Sequence, residues 1–485
     1  MTAADDLLEL SAVEVVEQIR QGTLRAEALA DRCLARAREL ESLNAVTWVD
    51  AARVRDEARA IDARRARGEP LGRLDGLPVI IKDNIDVAGT PNTAGSPALK
   101  DNIARQHAPV VQRLLDAGAI LFARANMHEL AGGATSSNPS YGPVRNPYDR
   151  TRVPGGSSGG TAAALAARIV PAGLGSDTAG SVRIPAALSG TAALRPTILP
   201  RKLYPDGGVV PLALDLDTVG PMARTVADVA LLHAAITGER VTPLANLRNV
   251  RIGVPHRPYW EDLEPEVERV SRDALERLRA AGALLVDIDT ESYYPAATLL
   301  YRMLVLNGIK GDLRPYLASI GAQLRIEDVI ARIASKDTRT LFETARDFDT
   351  PPTTLAEGRT TLRRQLAASY EAIFRNQRIA AIVFPTEPIV APLIKAGGDL
   401  REDEIELNGR GVSKILTLVR NTHVTGALGV PGISLPAGLS RQGLPVGLEF
   451  DGLAGRDSEL LALGIAVESV LGRLAAPPLT PALSP

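Results

Sequence analysis

At 485 residues the chain exceeds the usual size of one hydrophobic core, so it holds either two or three domains or one large sheet with helical layers. Hydrophobic residues at 45% and charged residues at 23% describe an ordinary globular protein and exclude disorder and fibrous repeats. With 55 Lys and Arg against 57 Asp and Glu the net charge is -2, and aromatics stand at 4%, so nothing favours nucleic acid or an anionic membrane as partner.

The first residues, Met1-Thr-Ala-Ala-Asp-Asp, are acidic where a secretory signal is basic. No apolar run approaches the roughly 20 residues a membrane helix needs, and the chain is expected in the cytoplasm. Residues 5–66 carry helical periodicity with charged faces such as Arg53-Val-Arg-Asp-Glu-Ala-Arg, and predict packing helices that end near Gly68-Glu-Pro70. The single cysteine, Cys33, excludes an intrachain disulfide and a cysteine metal site; its helical neighbours Leu29, Leu34 and Leu40 assign it to packing. Leu77-Pro-Val-Ile-Ile-Lys-Asp83 is a short branched run between turns, which reads as a buried strand ending at Lys82.

A helix over 107–117, a strand over 119–123, a glycine turn at 155, a helix over 158–168, a strand over 171–176 and a helix over 181–189 follow in turn. That alternation predicts an α/β fold. Later strands are expected at 251–255, 284–288, 380–384, 432–437 and 444–450. Residues 290–378 are helical and charged with no clear strand, and read as an insertion over one end of the sheet. There is no internal repeat, and the proline-rich tail over 476–485 is expected to be irregular.

Two Gly/Ser runs stand out: Gly155-Gly156-Ser157-Ser158-Gly159-Gly160 and Gly175-Ser176-Asp177-Thr178-Ala179-Gly180-Ser181. Helix formers follow both, so the glycines sit at element starts and not in a flexible linker. A phosphate loop fails because Thr161 stands where Lys is required. A dinucleotide fingerprint beginning at Gly173 fails at Thr178, where a third glycine must allow close helix packing. A nucleophile elbow around Ser158, with His423 as base, needs a preceding strand, but the segment 146–154 carries prolines near both ends. The five histidines, His107, His128, His233, His256 and His423, show no metal-ligand spacing and read as packing or solvated side chains.

Lys82 is the candidate base. At the end of Val79-Ile-Ile-Lys82 it loses hydration, which disfavours its charged form and lowers its pKa. The same position also suits a lysine that snorkels from a strand end. If Ser157 bridges Lys82 and Ser181, a proton passes from the Ser181 hydroxyl through Ser157 to the neutral amine, which activates Ser181.

These residues resemble the amidase signature hydrolases. The resemblance runs through Gly76-Leu-Pro-Val-Ile-Ile-Lys82-Asp-Asn, Asn126-Met-His-Glu-Leu, Tyr141-Gly-Pro-Val-Arg-Asn-Pro-Tyr, Pro154-Gly-Gly-Ser-Ser-Gly-Gly and Gly175-Ser-Asp-Thr-Ala-Gly-Ser181-Val-Arg-Ile-Pro-Ala. It continues through Leu194-Arg-Pro-Thr, Leu216-Asp-Thr-Val-Gly-Pro-Met-Ala-Arg, Gly429-Val-Pro-Gly-Ile-Ser-Leu-Pro and Gly443-Leu-Pro-Val-Gly-Leu. Most of 70–240 and 380–470 is covered.

The resemblance implies one amidase domain over 1–485: a large mixed, twisted sheet covered by helices on both faces, a signature core at 70–240 and a substrate-shaping insertion at 290–378. It implies Ser181 as nucleophile, Ser157 as the bridging serine in a cis peptide and Lys82 as base. The oxyanion hole would be the backbone N–H groups of Thr178, Ala179, Gly180 and Ser181 at a helix start. Ala179 departs from the commoner glycine; a methyl group is tolerated there if φ is negative, and it is expected to narrow the acyl pocket. Asp177 and Arg183 are expected to pair and hold the loop, where an exposed pair would contribute at most about 1 kcal/mol. Ser158 is expected to hydrogen-bond within the network, and Ser189, where many relatives carry cysteine, puts no catalytic role in doubt.

The implied reaction is acyl transfer from a C–N amide bond through an acyl-enzyme, with no metal or organic cofactor required. Arg201-Lys-Leu-Tyr-Pro-Asp-Gly-Gly-Val-Val-Pro-Leu resembles the indoleacetamide and mandelamide hydrolase branch more than the glutamyl-tRNA amidotransferase A subunit. A small aryl or arylalkyl amide is therefore the expected substrate. A carbamate (urethane) or anilide on the same triad, and an A-type amidotransferase subunit working in a complex, are the alternatives; a non-catalytic protein is disfavoured because all three triad positions are filled. Tyr293, Tyr294, Tyr301 and Met303 are the candidate substrate determinants, although such residues on a helix also serve as core.

Overall fold

The computed structural model describes residues 7–394 and 403–479. Its strands are β1 (Val46–Val49), β2 (Pro78–Lys82), β3 (Ile120–Ala125), β4 (Ala172–Asp177), β5 (Ala192–Arg195), β6 (Thr218–Ala223), β7 (Arg251–Pro255), β8 (Leu284–Ile288), β9 (Ala381–Pro385), β10 (Glu404–Leu407), β11 (Arg410–Ser413), β12 (Gly432–Leu439) and β13 (Pro445–Asp451). Eleven of them form one mixed sheet flanked by helices, in the order β1-β3-β2-β4-β6-β5-β12-β13-β9-β7-β8, and β10 pairs with β11 as a separate hairpin. This is the expected α/β architecture.

β2 is buried along its whole length, as its unbroken branched sequence requires of a strand covered on both faces. It runs parallel to both β3 and β4, with Ile81 opposite Leu174 and Lys82 opposite Ala125. Parallel neighbours finish at the same edge of a sheet, so Lys82 and the end of β4 at Asp177 arrive together there. The helix Gly159–Ala166 lies against β2, β4 and β6 with all eight residues buried. Its small side chains permit that approach: a Cβ on Gly160 would stand 2.2 Å from the Asn126 carbonyl oxygen.

Five strands were not legible as such: both strands of the β10–β11 hairpin and three in the large sheet. β1 lies inside the segment expected to be wholly helical and is half-exposed at the sheet edge. β5, Ala192-Ala-Leu-Arg195, has helix-forming composition and is extended only because β6 and β12 pair with it. β6 contains Gly220 and Pro221, which ordinarily argue against a strand interior. The helix expected over 181–189 begins at Arg183.

Residues 290–378 contain the helices Tyr294–Ser319, Ile326–Arg332, Lys336–Asp347, Pro352–Glu357 and Arg363–Gln377 and no strand. Their Leu304, Phe342 and Tyr370 are buried in a core shared with Met127, Phe384, Val424 and Leu428. Cys33 is fully buried in the core beneath the N-terminal helices, and burial pushes its thiol up to about 12. Residues 476–479 have no regular structure; the rest of the expected tail, 480–485, and residues 5 and 6 of the first helical segment lie outside the described residues. Among the described residues no helix is long and apolar enough to cross a membrane.

Candidate active site

Lys82 is fully buried at the end of β2, and its Nζ lies 2.7 Å from Ser157 Oγ and 2.8 Å from Ser176 Oγ. Burial drives its pKa down to about 7, against a smaller opposing pull from Asp177 and Asp217. Among the described residues no carboxylate touches the amine; its neighbours are hydroxyls and the Ser176 carbonyl at 3.4 Å. Asn84 Nδ2 donates to Ser176 Oγ at 3.0 Å, which orients that hydroxyl as an acceptor for a Lys82 N–H. A neutral amine so held keeps its lone pair for the Ser157 hydroxyl. The snorkelling alternative is thereby set aside, since Nζ reaches no solvent.

The Gly156–Ser157 peptide bond is cis. No strand leads directly into it; the segment 146–154 carries only an isolated bridge between Arg152 and Leu393, so the elbow geometry around Ser158 does not form. The turn is crowded from behind: a Cβ on Gly156 would stand 2.8 Å from the backbone nitrogens of Thr135 and Ser136. Ser158 ties the two Gly/Ser runs together. Its N–H donates to the Ser181 carbonyl at 3.1 Å and its hydroxyl to the Ser176 carbonyl at 3.2 Å. Ser181 is 7% exposed while Lys82 and Ser157 are fully covered, so the serine nearest substrate access is Ser181. Among the described residues its hydroxyl makes no hydrogen bond; the structure brings Lys82 and Ser157 into contact and joins Ser157 to Ser181 only through the adjoining backbone.

In the loop after β4, the N–H of Gly180 donates to Asp177 Oδ1 at 3.0 Å. Gly180 is therefore not a free oxyanion donor, and among the described residues the N–H groups of Thr178, Ala179 and Ser181 are the ones left without a protein acceptor. Gly180 has φ +123°, and a Cβ there would meet Thr422 Oγ1 at 2.3 Å, so glycine is required. Ala179 is not among the residues of positive φ, and its methyl group is accommodated. The Thr422 hydroxyl holds the Ala179 carbonyl from below.

Asp177 and Arg183 are not an exposed pair but a fully buried one, at 3.0 Å. Arg195 adds a second contact to Asp177 at 2.8 Å, and Glu449 on β13 takes the other arm of Arg183. Burial pushes the Asp177 carboxyl up, but the two guanidinium groups outweigh it and hold it well below the usual carboxylate range. Arg183→Leu leaves Asp177 and Glu449 buried without that partner, so the expected loss of unfolding free energy is about 3–5 kcal/mol, read as a lower urea midpoint.

Of the four proposed substrate determinants, only Tyr301 packs beside the loop residue Ala179. It packs on a cluster containing Ala179, Ile184, Ile389, Ile405 and Val419. Tyr293 stacks edge-on with Tyr370 in the insertion core, Met303 belongs to that same core, and the Tyr294 hydroxyl donates to the Arg420 carbonyl. A cavity of about 460 Å³ adjoins this cluster through Ile405 and is lined by Thr135, Val153, Leu393, Asp337 and Lys414 among others. His423 pairs its Nε2 with Thr298 and its Nδ1 with the Val419 carbonyl, both at 2.9 Å, and among the described residues its ring makes no hydrogen bond to a serine of the site. Ser189 donates to the Pro154 carbonyl at 2.9 Å.

Sequence reasoning gave no role to Ser176, Asn84, Arg195, Thr422 or Glu449. All but Thr422 lie on or beside a motif already singled out, but only tertiary pairing shows which of these polar residues face Lys82 or Arg183.

The site thus sets a buried contact between Lys82 and Ser157 beside a Gly/Ser loop at the edge of a mixed α/β sheet. The amidase family profile matches residues 28–461, and the chain belongs to that family, the amidase signature enzymes, hydrolases of carbon–nitrogen bonds other than peptide bonds. It is 35% identical to the mandelamide hydrolase of Pseudomonas putida over 97% of this chain and 93% of that protein. It is also 35% identical to an indoleacetamide hydrolase of Agrobacterium vitis, over 95% of this chain and 97% of the relative. The crystal structure of an amidase superposes with a TM-score of 0.84 at 31% identity, covering 96% of this chain and all of that one.

Proposed function

We propose that the protein hydrolyses small aryl or arylalkyl amides through a Ser181–Ser157–Lys82 relay and an acyl-enzyme. The observation that carries this is the 2.7 Å contact between the buried Lys82 amine and Ser157 Oγ, with burial holding the amine near pKa 7. Ser181 attacks the amide carbonyl, its proton moves to Ser157 and that of Ser157 to Lys82 Nζ. The N–H groups of Thr178, Ala179 and Ser181 face the developing oxyanion. The proton then returns to the leaving nitrogen, and water repeats the sequence on the acyl-enzyme. The apolar cluster around Ala179 and Tyr301 and the adjoining cavity favour an uncharged aromatic acyl group; similarity to enzymes named for mandelamide and indoleacetamide supports the same class.

Incubation with a fluorophosphonate and peptide mass spectrometry tests the nucleophile: one adduct is expected, on Ser181, and an adduct on Ser157 or Ser158 alone overturns the assignment. Steady-state assays of the purified chain on aryl amides, aliphatic amides, carbamates and anilides test the substrate class. Activity of the chain alone on the first group is expected, and a requirement for partner chains favours the amidotransferase reading. Ala179→Gly removes the methyl group from the cluster, so kcat/KM for a bulky arylacetamide is expected to change by about 10–200-fold at most relative to acetamide, measured as the ratio of the two.

A further inference from the structure

We propose that His128 and Asp337 are a positioning pair through which the helical insertion fixes Ser157; the proposal rests on the reading of Ser157 as the proton relay. His128 follows β3, and its ring is fully buried. Its Nδ1 accepts the N–H of Ser136 at 3.2 Å and faces the Thr135 hydroxyl at 3.3 Å. A ring nitrogen that accepts a backbone N–H carries no proton, so the proton of the neutral ring sits on Nε2. That atom points at Asp337 Oδ1, 3.2 Å away, in the first turn of the helix Lys336–Asp347. The second oxygen of Asp337 lies 2.9 Å from Lys414 Nζ, just beyond the β10–β11 hairpin. The ring is closed in on its other side as well, since a Cβ on Gly133 would stand 2.3 Å from His128 Cε1 and Nε2.

What the ring holds converges on one carbonyl. The backbone N–H of His128 donates to Ser157 O at 3.1 Å. Ser136, whose N–H sits on the ring, gives its hydroxyl to the same oxygen at 3.3 Å and accepts the N–H of Gly159 at 3.0 Å. Both lone pairs of the Ser157 carbonyl are thereby taken, which fixes the orientation of that residue and aims its Oγ at Lys82. The outer end of the chain, Asp337 and Lys414, lines the 460 Å³ cavity beside Ile405. The insertion thus does more than wall the cavity. It reaches across 209 residues of sequence to hold the relay serine.

Asp337→Ala, Asp337→Asn and His128→Asn in the full chain test this, with kcat expressed per fluorophosphonate-titrated site and the phosphonylation rate followed in parallel. Asp337→Ala is expected to lower both kcat and the phosphonylation rate by between about tenfold and a hundredfold with KM little changed, the signature of a misplaced catalytic group. Asp337→Asn keeps a carbonyl oxygen for His128 Nε2–H and is expected to recover most of the loss. His128→Asn, which cannot span from Ser136 to Asp337, is expected to match the alanine variant and carries the comparison if that variant does not fold. A kcat per titrated site within about twofold of the parent, or an effect confined to KM, overturns the proposal and leaves Asp337 as a structural or substrate-contacting residue. Should Ser181→Ala keep its activity, the underlying catalytic reading fails instead, an outcome the titration reports separately.

Discussion

Ser181→Ala is expected to lower kcat for amide hydrolysis by on the order of 10⁵ to 10⁶, because removal of the proposed nucleophile leaves only the binding and oxyanion contributions. The side chain is well suited to a clean test. Its hydroxyl makes no hydrogen bond among the described residues, so alanine strands no buried partner and stability is expected to stay within about 0.5 kcal/mol of the parent. The variant should also lose the fluorophosphonate adduct while binding substrate with a similar KM. Ser157→Ala makes an instructive contrast: it removes the contact to Lys82 at 2.7 Å but keeps the nucleophile, and a smaller loss of about 10² to 10⁴ is expected. If Ser181→Ala retains more than about a hundredth of the parental kcat under rapid-quench conditions, the nucleophile lies elsewhere.

The elements that carry these residues were legible because their local sequence leaves little choice. Val79, Ile80 and Ile81 are branched and adjacent, which suits a strand buried on both faces, and that strand ends at Lys82 as its composition predicts. The loops at 155 and 175 were legible from glycines that no side chain can replace without collision, as Gly156 and Gly180 show. What stayed hidden depends on pairing between distant segments. Ser176 becomes a partner of Lys82 only through the parallel register of β2 with β4, and Glu449 reaches Arg183 from 266 residues away. Gly220 and Pro221 disguise β6, although its antiparallel pairing to β4 supports the loop that ends at Ser181. The helix-borne tyrosines present the converse case. Their spacing is the same whether they face core or site, and only packing separates Tyr301 from Tyr293.

The pH dependence follows from the burial of Lys82. The protonated amine has no lone pair to receive a proton, so in the proposed relay the active form is the neutral one. Burial lowers the pKa to about 7, and kcat/KM is accordingly expected to rise with pH through an apparent midpoint near 7 and then level off. Lys82→Ala should lower amide hydrolysis by about 10² to 10⁴ and erase that limb. Lys82→Arg should fare no better, since a guanidinium stays protonated throughout this range. An activated ester is expected to suffer less in both variants, because its leaving group departs without a returned proton. Stability carries the same sign. The unfolded lysine titrates near its ordinary 10.5 and the folded one near 7, so between those values the unfolded state binds more protons and unfolding free energy rises with pH. Lys82→Met should flatten that rise in urea titrations at pH 7 to 10. A parental rate profile that is level from about pH 5 to 9, with chemistry shown to be rate-limiting by a leaving-group effect, contradicts Lys82 as the base.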